Sequence, residues 1–205
     1  MIAIIDYGVG NLFSLGRSFA AIGAVAAVTG DPALIEGADR LVLPGVGAFG
    51  DAARLLRRRG LDDLIRREAE RGKPLLGICL GMQLLLDESL EYGRHEGLGL
   101  IPGCVRPIRE AVPAGYKIPH IGWNALRFPA GRPVSPLFGR VREGECVYFV
   151  HSFHGVDCGE SVIATAEYGG ELTAAVARGS VFGVQFHPEK SGDVGLNILR
   201  SFCEL

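Results

Sequence analysis

The stretch Pro74-Leu75-Leu76-Gly77-Ile78-Cys79-Leu80-Gly81-Met82-Gln83-Leu84-Leu85-Leu86 runs from an apolar segment, through a glycine-flanked cysteine, into a second apolar segment. This is the pattern of a buried strand that turns sharply into a helix, with Gly77 and Gly81 permitting a tight reversal and close packing of the helix. The central side chain of such an elbow is strained, exposed and placed at the positive end of a helix dipole. A thiol in that setting is a ready nucleophile. The same cysteine also fits a plain core position, because free cysteine is among the most buried residue types. Taken by itself, the elbow supports both readings.

The segments on either side repeat the strand-then-helix scheme. Residues 2–6 form a buried strand that ends in the glycine-rich Asp6-Tyr7-Gly8-Val9-Gly10 and leads into a helical stretch from Asn11 to about Ile22. Val25–Thr29 and Arg40–Leu43 are short strands, and Ala48–Arg59 and Leu61–Arg71 are amphipathic helices. Such alternation predicts an α/β fold: three layers, with a mostly parallel central sheet and helices on both faces. Sites in such sheets lie at the carboxyl ends of the strands, where Gly8, Gly45 and Cys79 all fall. After about residue 98, glycine and proline punctuate short extended runs: Cys104–Ile108, Ile118–Phe128, Cys146–Phe153, Ser161–Tyr168, Thr173–Arg178 and Ser180–Phe186. These predict hairpins and returning strands, an antiparallel C-terminal extension closed by a helix over about Val194–Cys203. No repeat or linker divides the chain, so residues 1–205 are expected to form one domain.

Composition narrows the function classes. The 205 residues are 48% hydrophobic and 21% charged with a formal net charge of −2, which gives no reason to expect a nucleic acid or an anionic membrane as partner. Arg54, Arg57, Arg58 and Arg59 are offset by Asp51, Asp62 and Asp63 and describe a solvated helix face. The five cysteines are widely spaced and contain no C-x-x-C pair, so neither a disulfide framework nor a zinc site is expected. The start Ile2-Ala3-Ile4-Ile5 lacks a basic lead and a long apolar run, and the expected location is the cytoplasm.

A second segment, Gly183-Val184-Gln185-Phe186-His187-Pro188-Glu189-Lys190, delivers a histidine and, two residues later, a carboxylate at the end of an apolar strand. Alternation along an extended backbone points His187 and Glu189 to the same side. A thiol nucleophile needs a base to hold its proton and a third group to orient that base. Alone, His187 reads first as a satisfied strand-end histidine before a proline, and His95, His120, His151 and His154 compete for the role of base. The joint pattern of elbow cysteine, histidine and carboxylate selects Cys79, His187 and Glu189. A third strand end, Pro44-Gly45-Val46-Gly47, is built of small residues whose N–H groups can turn toward a ligand. The N–H of Val46 or Gly47, together with that of Leu80, can face a developing oxyanion; an ordinary strand-to-helix turn is the alternative.

With these residues assembled, the chain resembles the class I, triad-type glutamine amidotransferases, which carry a G-x-C-x-G elbow and a late H-P-E. The resemblance spans nearly the whole chain. It rests on Asp6–Leu12, Leu43–Phe49, Gly77–Gln83, Ile118–Asn124, Tyr148–Ser152 and Gln185–Gly192. The segments His120-Ile121-Gly122-Trp123-Asn124 and Pro44–Gly47 bring it closer to the glutaminase subunits of imidazole glycerol phosphate synthases, which act in histidine biosynthesis.

That resemblance implies Cys79 as nucleophile, His187 as base and later acid, and Glu189 as its orienter. It implies glutamine as substrate, held by Gly45, by Gln83 and Glu91 one and three helical turns past the nucleophile, and by the backbone at Ser152 and Phe153. Relatives often carry tyrosine at Phe153, so a hydroxyl contact there is not carried over. The implied chemistry uses no metal and no organic cofactor. The implied partner is a separate (β/α)8-barrel cyclase subunit that receives the ammonia, with Asn11, Ser14, Trp123 and Lys190 at the interface. Trp123 is equally readable as a core aromatic.

Overall fold

The computed structural model describes residues 1–205. The first half alternates as the apolar pattern requires: β1 (Ile2–Ile5), α1 (Leu12–Ala21), β2 (Ala26–Thr29), α2 (Pro32–Glu36), β3 (Arg40–Leu43), α3 (Phe49–Arg58), α4 (Leu61–Glu70), β4 (Leu75–Ile78) and α5 (Leu80–Leu85). The second half is strand-rich: β5 (Glu88–Ser89), β6 (His95–Glu96), β7 (Cys104–Pro107), β8 (His120–Ala125), β9 (Cys146–His151), β10 (Phe153–Val156), β11 (Val162–Glu167), β12 (Glu171–Arg178) and β13 (Val181–Val184), before the closing α6 (Gly192–Glu204).

The main sheet has seven strands in the order β11-β12-β13-β4-β3-β1-β2. From β2 across to β13 the neighbours are parallel, while β12 and β11 add on antiparallel. The smaller pieces are a sheet of β10, β7, β5 and β6 and the hairpin β8–β9. Each buried strand of the centre divides its side chains between two cores, as the period of two demands. Ala3, Ile5, Leu41, Leu43 and Leu75 pack with α2, α3, α4 and α5. Ile2, Ile4, Val42, Leu76 and Ile78 pack with Leu15 and Phe19 of α1 and with Ile198, Leu199 and Phe202 of α6. No helix is long and apolar enough to cross a membrane.

Register is what matters for the site. Leu43 lies beside Gly77, and Ile78 beside Val184, so β3, β4 and β13 end level with one another. The turns that follow them, Pro44–Gly47, Cys79 and Gln185–His187, therefore emerge along one sheet edge. Short α2 escapes the periodicity reading, but Asp31 caps it by accepting from Ala33 N–H at 2.9 Å, with Pro32 at the first helical position.

Candidate active site

Cys79 sits between β4 and α5 with φ 55° and ψ −111°, a conformation uncommon for a side chain larger than glycine. The neighbouring structure enforces it. Cys79 N–H donates to Val184 O at 2.8 Å, and its own carbonyl accepts from Gln83 N–H at 3.2 Å to start the helix. The strained turn lifts the sulfur out of the sheet into a cleft of about 400 Å³. Cys79, Leu80, Gln83, Val46, Gly47 and Glu91 line it, together with Ser152, Phe153, His187 and Lys190.

His187 reaches the cleft from the end of β13. Its N–H donates to Tyr148 O at 2.9 Å, and Ser191 Oγ donates to its carbonyl at 2.6 Å while accepting from Tyr148 N–H at 3.0 Å, so the turn is tied to β9. His187 Nδ1 donates to Glu189 Oε1 at 2.8 Å, and the ring's other nitrogen is left for Cys79. The sequence expectation placed this pair by extended alternation. Instead, Pro188–Lys190 is a turn of 3-10 helix, and the carboxylate curls back beneath the imidazole. The strand has already ended at Val184, and proline, which fixes φ in the helical range, opens the turn at Pro188.

Burial opposes charge on His187, but Cys79 and Glu189 outweigh it and raise its pKa from 6.5 to about 9. A folded-state value above the unfolded one means that this group adds stability below about pH 6.5, which is lost as pH rises through about 9. An NMR titration of the His187 ring is expected to show the imidazolium persisting past pH 8, and Glu189→Gln to move the midpoint down; a ring neutral at pH 7 would contradict this. His151, which also lines the cleft, goes the other way: burial lowers it to about 3, so it stays neutral and donates through Nδ1 to Phe153 O at 2.9 Å. Its geometry leaves it a structural neighbour rather than a rival base.

Other predicted residues fall differently. Gln83 is buried on α5, and its Nε2 donates to Phe153 O at 3.1 Å and to Gln185 Oε1 at 2.9 Å, leaving Oε1 as its free acceptor in the cleft. Glu91 is not helical. Leu86 turns extended, α5 ends at Leu85, and the chain leaves to pair β5 with β7, so Glu91 arrives from beyond β5. There Glu91 Oε2 accepts from Phe49 N–H at 2.6 Å and caps the first turn of α3. Gly45 does not line the cleft. A Cβ there would lie 2.8 Å from Tyr7 Oη and 2.9 Å from Gly81 N, so it packs beneath.

Gln185, which carried no role in the sequence reading, is fully buried and directs Nε2 at Cys79 Sγ from 3.7 Å. Its signal was strand alternation, since Gln185 precedes His187 by two positions.

Trp123 is 54% exposed on β8 and meets Tyr148 edge-on at 5.9 Å, which overturns the core alternative. Lys190 Nζ stands 5.8 Å from the centre of the same Tyr148 ring, joining this aromatic surface to the cleft mouth. Asn11 and Ser14 lie half-buried at the start of α1, which packs against the Pro188–Lys190 turn.

Comparison with known proteins gives the family of the chain. Residues 3–204 match the family model "Glutamine amidotransferase class-I". The imidazole glycerol phosphate synthase subunit HisH of Moorella thermoacetica is 51% identical over 205 residues, covering 100% of this chain and 94% of the relative. The subunit of the same name from Geobacillus kaustophilus is 51% identical over 98% of this chain and 95% of its own length. A crystal structure described as a glutamine amidotransferase superposes with a TM-score of 0.76 at 22% identity, covering 100% of this chain and 98% of that one, and shares the fold. With a family match across nearly its whole length and relatives half-identical to it, this chain belongs to the class I glutamine amidotransferases.

Proposed function

We propose that the chain is the glutaminase subunit of an imidazole glycerol phosphate synthase. The observation that carries this reading is the meeting of Cys79 and His187 in one cleft, with His187 Nδ1 held at 2.8 Å by the Glu189 carboxylate behind it. Family membership and full-length similarity to subunits bearing that name support the same assignment.

In this mechanism Cys79 Sγ attacks the side-chain carbonyl carbon of glutamine. The C=O electrons move onto oxygen, and N–H groups of Val46 or Gly47 and of Leu80 face the oxyanion. Collapse breaks the C–N bond as the His187 imidazolium passes its proton to the departing nitrogen, giving ammonia and a glutamyl thioester on Cys79. Neutral His187 then takes a proton from water, hydroxide adds to the thioester, and glutamate leaves as the thiol is restored. Glu189 fixes the tautomer and steadies the imidazolium throughout. Gln83 Oε1 and the backbone at Ser152 and Phe153 orient the substrate.

Ammonia released into water is protonated and lost as a nucleophile, so its acceptor sits close by on a (β/α)8-barrel cyclase subunit. That subunit consumes the ammonia in forming imidazole glycerol phosphate and AICAR. Trp123 is the anchor of that contact, exposed in the free chain and aromatic as such anchors commonly are, with Asn11, Ser14 and Lys190 assigned to the same interface.

Glutamate formation is expected on mixing the chain with the barrel subunit and its substrate; none in that mixture would overturn the reading. Trp123→Ala is expected to weaken the complex by about 2 kcal/mol, roughly 30-fold in Kd. Calorimetric titration with the purified barrel subunit measures it, and an unchanged Kd would remove Trp123 from the interface.

A further inference from the structure

The Pro44–Gly47 loop hangs between two anchors. At its far end Phe49 N–H is held by Glu91. At its near end the carbonyl of Pro44 accepts a hydrogen bond, at 2.9 Å, from the hydroxyl of Tyr7. Between them Val46 is 43% exposed, Gly47 has φ 97°, and the N–H groups of Val46 and Gly47 have no acceptor within the protein. No hydrogen bond inside the protein directs these donors, so the anchors bear on their aim.

Tyr7 is built for that task. It is fully buried just past the end of β1, with its hydroxyl against the one loop residue, Gly45, where a Cβ would lie 2.8 Å from Tyr7 Oη and 2.9 Å from both Leu80 Cβ and Gly81 N. The oxyanion loop, the nucleophile elbow and the Tyr7 ring thus share one tight contact. Burial, with the adjacent Cys79 charge, drives the phenol pKa upward, so the hydroxyl stays a neutral donor. A buried carbonyl deprived of its donor carries a desolvation cost that favours a different peptide orientation in a loop with few other bonds.

We infer that Tyr7 is a positioning residue: its hydroxyl fixes the Pro44 carbonyl and thereby aims the N–H groups of Val46 and Gly47 at the oxyanion formed over Cys79. The inference rests on the glutaminase reading above. It also gives the partner surface a path to the chemistry, because the loop holding Tyr7 continues directly into Asn11 and Ser14 and packs on Pro44, with a Cβ at Gly10 falling 3.2 Å from Pro44 Cβ.

The test is Tyr7→Phe, assayed in the complex with the barrel subunit. Two rates are compared: glutamine hydrolysis, which passes through an oxyanion, and alkylation of Cys79 by iodoacetamide, in which sulfur displaces iodide and no oxyanion forms. Loss of oxyanion stabilisation acts on the transition state alone, so kcat is expected to fall roughly tenfold or more with KM within about twofold. Alkylation is expected to keep its wild-type rate. Equal kcat in variant and wild type overturns the proposal, and so does a parallel fall in hydrolysis and alkylation, which would report a damaged site. Failure of the variant to fold overturns it as well, because the hydroxyl would then be carrying the fold. A wild-type complex without glutaminase activity would instead sink the functional reading itself.

Discussion

Cys79→Ala is expected to lower glutaminase turnover by at least about 10⁴-fold while the fold is kept, because removing a nucleophile leaves only the catalysis that binding and oxyanion donors supply. The sulfur stands alone in its role: Gln185 and His187 both reach it, and it is the one thiol lining the cleft. Alanine keeps the Cβ that the φ 55° turn already accommodates, so no new backbone strain enters. The lost contact, a 3.7 Å approach from Gln185 Nε2 to sulfur, is weak. Glutamate release in the complex, followed beside a thermal melt, checks both halves. Half the wild-type activity would remove Cys79 from the mechanism, and a collapsed melting curve would mean that its role is structural.

Gly81→Ala is expected to be the most damaging single methyl in the molecule's active half. A Cβ at Gly81 would lie 1.8 Å from the carbonyl oxygen of Leu43 and 3.3 Å from the carbonyl carbon of Pro44. Those atoms are backbone at the end of β3 and cannot swing aside as a side chain can. Relief requires α5 to lift away from the sheet, which breaks the packing of Leu80, Leu84 and Leu85 in the core on that face. Overpacking of this severity costs about 3 kcal/mol or more. For a chain of this size that corresponds to a melting temperature lowered by roughly 6–12 °C. Differential scanning calorimetry measures it, and a shift within 2 °C of zero would show that the helix can move freely. Activity should fall with stability, since lifting α5 also moves Leu80 N–H and the thiol.

How much of this was legible in the sequence depended on whether a feature is local. The strand-to-helix elbow, the alternating first half and the antiparallel end strands follow from residue spacing, because each is decided within a dozen residues. The order of strands in the sheet is decided by contacts between β1, β3, β4 and β13, which no local pattern records. Helix α2 has only five residues, too few for a period, though its Asp31-Pro32 start carried the capping signal. The resemblance sets Glu91 three helical turns past the nucleophile, but long-range pairing of Glu88 with Cys104 takes the chain out of the helix first. The His187 and Glu189 pairing was expected for a reason that the backbone does not obey, since Pro188 opens a turn. Trp123 could not be assigned to core or surface from its neighbours alone. Its exposure depends on how hairpin β8–β9 lies against the rest, as does the contact with Tyr148.

The central claim is that one thiol among five is the enzyme's nucleophile, and selective trapping tests it most directly. The chain, in complex with the barrel subunit, is exposed to a glutamine analogue bearing an electrophilic carbon in place of the side-chain amide, and the adducts are mapped by mass spectrometry. One adduct is expected, on Cys79, slowed by excess glutamine and absent after Cys79→Ala. Cys146 is exposed, and Cys104 and Cys203 are partly so, which makes them internal controls for unselective chemistry. An unmodified Cys79 in an active preparation, or labelling of Cys146 in its place, would contradict the account.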